Sequence, residues 1–350
     1  LAAASESIAL APDPSAYAIA AKSHLELGQP ASAEQVLLAA RAKKCESPEL
    51  EYLRGVVAEL RGDLEPAIAH YRRAREQERA HVDFLLAEAE CMAAAGDPEA
   101  ALRLLADHLN VYDERGAVSL LAARIADLKG DEDMAIRWYR RAAGLVPKSV
   151  SISQRLGTLL AESGECAEAV TLLRPLIDRP VRPNDLGNVR RTLALCYLAG
   201  DDPRSAYESL HDYAAGNPDD ASAQLLLAQS ALGVNDLVTA AEAVGQLDRR
   251  DSSDERDVLM VRAILDWKRG RLAESASTLA AWVETQPSDA QASCLLGEIL
   301  AASGDGQQAV VAFERALFSD PSNSWAKSRL AELGPDQVPR GPNGEYSSRN

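Results

Sequence analysis

The chain has 350 residues, 47% hydrophobic and 26% charged, so it can bury a core and is not disordered by composition. Its 53 acids against 37 bases leave a formal net charge of -16, which excludes nucleic-acid binding through the whole surface while allowing a local basic patch. The 30 Arg against 7 Lys point to a GC-rich, bacterial coding sequence.

The chain starts at Leu1 rather than Met, so a removed segment or a longer protein is expected before it. Leu1 to Ala4 has the look of a cleavage scar, without the charged and apolar regions of a signal peptide. Ser5 to Pro12 reads as the end of a preceding helix, so residues 1–13 are expected to form a partial repeat or N-terminal cap. Glycines then recur at Gly28, Gly62, Gly96, Gly130 and Gly164, each step being 34 residues. The series resumes at Asp201, Asn235, Gly270 and Gly304. Nine units result, beginning near Pro14, Pro48, Val82, Gly116, Val150, Gly187, Ala221, Arg256 and Ala290.

Other columns keep this register. Seven residues before the turn position lie Ala21, Gly55, Ala89, Ala123, Gly157, Ala194, Ala228, Ala263 and Gly297. Five residues after it lie Ala33, Ala67, Ala101, Ala135, Ala169, Ala206, Ala240, Ser275 and Ala309. Nine after it the residue is large and apolar, as in Leu37, Tyr71, Tyr139, Leu210 and Phe313. Small residues facing large ones let two antiparallel helices pack closely. Asp63, Asp97, Asp131, Asp202, Asp236 and Asp305 follow the turn as helix N-caps. Pro30, Pro98 and Pro203 fit a first helical position. Pro147, Pro218, Pro287 and Pro321 mark helix ends. Each unit therefore reads as helix, tight turn, helix.

Gly55, Gly62, Asp63, Ala67, Tyr71 and Ala74, and again Leu296, Gly297, Gly304, Ala309, Phe313, Ala316 and Pro321, resemble the tetratricopeptide repeat. The resemblance covers residues 14–323. It implies an all-α, α-solenoid fold of about nine helix-turn-helix repeats, wound as a right-handed superhelix with a C-terminal capping helix. The expected organisation is repeats one to five over 14–180, a Pro-containing break over 181–186, repeats six to nine over 187–323, a capping helix over 324–333 and a flexible tail over 334–350. A small insertion spans Arg249 to Asp254. The column Ala40, Ala74, Ala142 and Ala316 is replaced by His108, Leu176, Tyr213, Leu247 and Trp282 in the other units, where altered spacing or curvature is expected.

Catalytic motifs are absent. No H-E-x-x-H, P-loop or G-x-S-x-G occurs, and Ser324-Trp325-Ala326-Lys327 reads as a capping helix rather than an S-x-x-K catalytic site. Cys45, Cys91, Cys166, Cys196 and Cys294 form no C-x-x-C and read as free thiols, leaning toward a reducing, cytoplasmic setting, with a periplasmic or envelope-associated one expected instead if a signal peptide was removed before Leu1. No cofactor or metal is expected, and no apolar run suits a membrane span.

The resemblance implies a non-enzymatic scaffold whose first helices line a groove for a peptide or partner helix. The inward positions then include the apolar Tyr52, Leu86, Leu120, Leu225, Met260, Trp267 and Cys294. Several of these could instead pack between neighbouring repeats. Arg124, Gln154, Arg155 and Arg191, with Arg190 adjacent, form a basic group suited to an acidic segment or a C-terminal carboxylate. The alternative is that these arginines are paired within the chain. Lys and Asn in the fifth and ninth columns, the carboxylate-clamp pattern of chaperone-binding members, are missing. Relatives by resemblance serve bacterial secretion, pilus or envelope assemblies. The runner-up reading is a regulatory or targeting arm of a larger enzyme or signalling protein. A homodimer through the end repeats, near Leu1 to Leu10, is a further expectation.

Overall fold

The structure, a computed structural model, describes residues 13–112, 116–178, 186–248 and 255–333. Nineteen helices fill these stretches, and the described residues contain no strand. The first four pairs are α1 (Pro14–Glu26) and α2 (Pro30–Ala42), α3 (Pro48–Leu60) and α4 (Leu64–Gln77), α5 (Val82–Ala94) and α6 (Pro98–Tyr112), and α7 (Ala117–Lys129) and α8 (Glu132–Leu145). The fifth and sixth are α9 (Val150–Glu162) and α10 (Cys166–Ile177), then α11 (Gly187–Ala199) and α12 (Pro203–Gly216). The last three are α13 (Ala221–Gly233) and α14 (Leu237–Asp248), α15 (Glu255–Lys268) and α16 (Leu272–Thr285), and α17 (Ala290–Ala302) and α18 (Gly306–Ser319), followed by α19 (Ser324–Leu333). The N-terminal partial repeat, the insertion at 249–254 and the tail lie outside the described residues, except that Asp13 caps α1. Of the break at 181–186, only Leu186 is described, and it is buried.

The turns explain why helices stop every half-repeat. All nine turn positions adopt positive φ, from 55° at Asp201 to 93° at Gly96. Glycine has no Cβ to clash there, and Asp and Asn are the side-chain-bearing residues that tolerate this region best. The turn N–H reaches back three residues and the next N–H five, as Gly62 to the Glu59 carbonyl at 2.8 Å and Asp63 to the Ala58 carbonyl at 3.0 Å. This pair of bonds satisfies the last carbonyls of the first helix. The aspartate after the turn then opens the second helix. Asp97, Asp131, Asp202, Asp236 and Asp305 accept from Ala100, Met134, Ser205, Thr239 and Gln308 N–H groups. Asp63 makes no such bond. Pro30, Pro98 and Pro203 are first helical residues.

Both small columns and the large column are buried throughout. Their fit is tight. A Cβ placed on Gly55 would lie 2.5 Å from Tyr71 Cε1, and one on Gly297 would lie 2.7 Å from Phe313 Cζ. Glycine at these two positions is therefore what admits the ring. Each repeat passes its core to the next: Tyr17, Ala33 and Leu37 of the first pair share one cluster with Leu50, Leu53 and Val57 of the second. At the other end, Ala326 of α19 is fully buried with Cys294, Phe313 and Ala316.

The replaced column has a physical role that the expectation of altered spacing missed. Two of the larger side chains hydrogen-bond the start of the following repeat. Tyr213 Oη donates to Asp220 at 2.8 Å, and Trp282 Nε1 donates to Asp289 at 3.1 Å. These two aspartates also N-cap α13 and α17 through Ala223 and Ala292. The fold divides into two compact units, residues 1–163 and 164–350, with the division between α9 and α10.

Candidate protein-binding surface

The first helix of each pair carries one residue ten positions before its turn. In the first unit these are Ala18, Tyr52, Leu86, Leu120 and Gln154, and in the second Arg191, Leu225, Met260 and Cys294. The series from Tyr52 to Met260 is half-buried, whereas Ala18 is 1% and Cys294 0% exposed. Cys294 is closed off by the capping segment, its thiol donating to Asn323 Oδ1 at 3.7 Å. It therefore cannot present an apolar contact to a partner, contrary to the sequence expectation.

In the first unit, the ring of Tyr52 lies 5.5 Å from Tyr71 and 5.2 Å from Phe84, joining two repeats. Leu86 and Leu120 follow in the same column on α5 and α7. Four positions further along each helix stand Glu90 and Arg124, 3.9 Å apart and each 59% exposed. Arg155 is engaged more firmly. Its Nε and Nη2 meet both carboxylate oxygens of Asp127 at 2.6 and 2.5 Å, and Tyr139 Oη adds a third bond at 3.4 Å. The Arg155 hydrogen bond holds the Asp127 carboxyl below the usual carboxylate range, against its partial burial. Gln154 is half-buried, and its carbonyl accepts from Thr158 Oγ1 at 3.0 Å.

In the second unit, Arg191 donates to Asp220, to Asn188 and, at 3.4 Å, to Tyr213. Burial alone would raise the Asp220 carboxyl, yet the Ala223 N–H, Tyr213 and Arg191 together hold it below its ordinary value. Arg190 donates to the Ser209 carbonyl at 2.8 Å. Leu225 packs beside the Leu227 and Leu232 cluster, and Met260 and Trp267 beside Leu279 and Leu295. These apolar residues thus pack between repeats and still show part of their surface. The structure pairs Arg155 and Arg191 within the chain, and leaves Arg124 as the loosely held cation of the group.

Two contacts had no counterpart in the sequence reading. Glu88, 1% exposed, is held by Arg72 Nε at 2.9 Å and Arg75 Nε at 2.7 Å. The Cys166 and Cys196 thiols lie on consecutive helices and act on each other electrostatically. Burial first, and then the neighbouring Cys166 thiol, push Cys196 up to about 12. Thirty residues separate the two cysteines, close to one repeat, and that interval is the signal that could have paired them. Among the described residues no group of three or more His, Cys, Asp or Glu side chains is placed to hold a metal ion. No described helix is long and apolar enough to cross a membrane.

Known proteins share this pattern. Human tetratricopeptide repeat protein 7B is 30% identical over 89 residues, 25% of this chain. The chain spans 11% of that relative's length. A tetratricopeptide repeat protein from Parabacteroides merdae superposes with a TM-score of 0.43 at 18% identity, covering 82% of this chain and 98% of the other. Pseudomonas aeruginosa pilF gives 0.47 at 16% identity over 62% and 97%. Naa15/Naa10 bound to HypK-THB gives 0.47 at 18% over 82% and 44%. At these scores the fold rests on the helix pairs themselves. Two tetratricopeptide repeat family models match, one over residues 20–81 and 260–324 and the other over 60–125. These matches fall on the same helix pairs whose turns, small columns and caps set the 34-residue period, and the chain belongs to the tetratricopeptide repeat proteins, an all-α family of protein–protein interaction scaffolds.

Proposed function

We propose that the first-helix face of the first unit binds an extended peptide or a partner helix, and that the protein acts as a non-enzymatic adaptor within a bacterial multiprotein assembly. The supporting observation is the unbroken, partly exposed column of Tyr52, Leu86 and Leu120 on successive first helices, with the exposed Arg124 beside it. Partly exposed apolar residues in a row favour association with another chain. A charged group then sets register at the edge. Arg124 is the cation available to an acidic segment or terminal carboxylate. Arg155 and Arg191 would first have to leave Asp127 and Asp220. A homodimer through Leu1 to Leu10 belongs to the same proposal, and an unchanged mass after deleting those residues removes it.

The test is a pull-down from the source lysate with mass spectrometry. Wild type is run beside Leu86→Asp with Leu120→Asp, beside the Arg124→Glu, Arg155→Glu and Arg191→Glu triple variant, and beside Leu38→Asp on the exposed side of α2. A partner held by wild type and Leu38→Asp but lost from the leucine variant supports the reading. Capture by all four proteins overturns it. Loss from the triple variant as well supports the acidic-segment reading.

A further inference from the structure

The second helices of the third and fourth pairs leave a groove of about 660 Å³ between α6 and α8. Its floor is apolar, made by Leu102 and Leu109 from α6 and Met134 and Trp138 from α8. Its rim is basic, with Arg103, Arg137, Arg141 and Lys129. Glu99 is the lone carboxylate lining it, and Lys129 already holds that group at 3.1 Å. Neither Arg103 nor Arg137 makes a hydrogen bond or ion pair with any described residue. In a chain of net charge -16, cations left over beside an apolar floor need an explanation.

A groove between α2 and α4, the second helices of the first two pairs, provides a contrast. It is smaller, about 220 Å³, and its basic lining residues are Arg41, Arg54, Arg61 and His70. There the chain neutralises three of these four side chains, all but Arg41. Arg54 pairs with Glu46 and Glu51, Arg61 with Glu34, and His70 with Glu51. Repeats of one architecture therefore treat equivalent grooves differently. One is mostly neutralised by internal ion pairs, and the other leaves Arg103 and Arg137 unpaired.

We propose that the α6–α8 groove docks an acidic amphipathic helix of a partner protein. Its apolar face would cover Leu109, Met134 and Trp138, and its carboxylates would meet Arg103 and Arg137. Both features are needed to select this partner. A small free anion would leave the apolar floor in water. An uncharged helix would strip water from the arginines without replacing it. A helix with leucines at i, i+3, i+4 and i+7 and carboxylates along its flanks satisfies both. Arginine favours the carboxylate because it offers paired donors in one plane. The site is separate from the first-helix face proposed above.

The probe is a fluorescein-labelled peptide of about 16 residues, with that leucine spacing and glutamates elsewhere, titrated against the full chain at low salt. Fluorescence anisotropy is expected to show saturable binding. Arg103→Glu with Arg137→Glu should weaken it by at least about tenfold, and so should lysines in place of the glutamates. Arg124→Glu, on the first-helix face, should leave it unchanged, which keeps this test distinct from that of the first-helix face. Both arginines are exposed, and a circular dichroism melt checks that the variant is folded. Trp138→Phe, which keeps a ring on the floor, should remove the tryptophan emission shift while retaining most of the affinity. No saturable binding below about 1 mM overturns the proposal, as does equal affinity for the charge-reversed protein or for the lysine peptide. Equal, variant-sensitive binding of single-stranded DNA also overturns it, by reducing the groove to a general polyanion site. A wild-type dimer in sedimentation that Arg103→Glu with Arg137→Glu dissociates overturns it too, by assigning the groove to a second copy of the chain.

Discussion

Asp127 carries a load that its place on a surface helix does not suggest. Its pairing with Arg155 lowers its pKa in the folded chain, so the unfolded chain binds the proton more readily. The resulting stabilisation is complete above about pH 4, the range of an unfolded carboxylate, and is lost as pH falls through the lower folded value. Asp127→Asn is expected to cost about 1 kcal/mol at neutral pH, since Arg155 is partly exposed. In urea titrations the difference from wild type should narrow as pH drops below about 4. The thiols give a second prediction. Cys91 and Cys294 are raised to about 11 and Cys196 to about 12, burial being the largest cause in each. Cys166 is only half-buried. Iodoacetamide near pH 8 should therefore modify Cys166 before these three, with all of them reacting once urea is added, as peptide mapping would show. Isolated residues were hard to read in advance. Arg155 and Arg191 looked available because Asp127 and Asp220 lie 28 and 29 residues away, and only the stacking of repeats brings them together.

At the scale of the element, the turn was the most legible part of the chain. Positive φ has a chemical signature, and Gly, Asn and Asp are the residues that display it. The two exceptions to glycine, Asp201 and Asn235, obey the same rule. A Cβ on Gly62 would meet nothing within 4 Å. Gly62→Ala should thus isolate the backbone cost, about 1–2 kcal/mol, seen as a lower melting temperature. Asn235→Gly should leave stability nearly unchanged. The replaced column was less legible. Tyr213 and Trp282 departed from a small-residue pattern, and their partners Asp220 and Asp289 read as plain caps. Nothing in one repeat announces that its second helix will hydrogen-bond the next repeat's cap.

In the whole molecule, each repeat leaves an apolar face that its successor must cover. The last successor is α19, which buries Ala326 against Cys294, Phe313 and Ala316. Removing residues from Ser324 onward is expected to expose that face, lower the melting temperature and cause concentration-dependent association in sedimentation velocity. Unchanged mass and stability would show that α19 is dispensable. The α6–α8 groove is not legible in the sequence, where no repeat column marks it. Arg103, Arg137 and Trp138 sit in second helices, and the separation of paired from unpaired cations appears only when neighbouring repeats are placed side by side.

Where an aspartate follows the turn and caps the next helix, as at five of the nine turns, it also fixes how the array can change over generations. Its N–H ends one helix and its carboxylate starts the next, so a 34-residue block carries its own stop and start signals. Such a block can be copied, deleted or exchanged between loci without redesigning its borders. The inherited requirement is only that the incoming block present small residues where its neighbour presents large ones. Lengthening by duplication is then cheap, while a single residue inserted within a turn would break both signals at once.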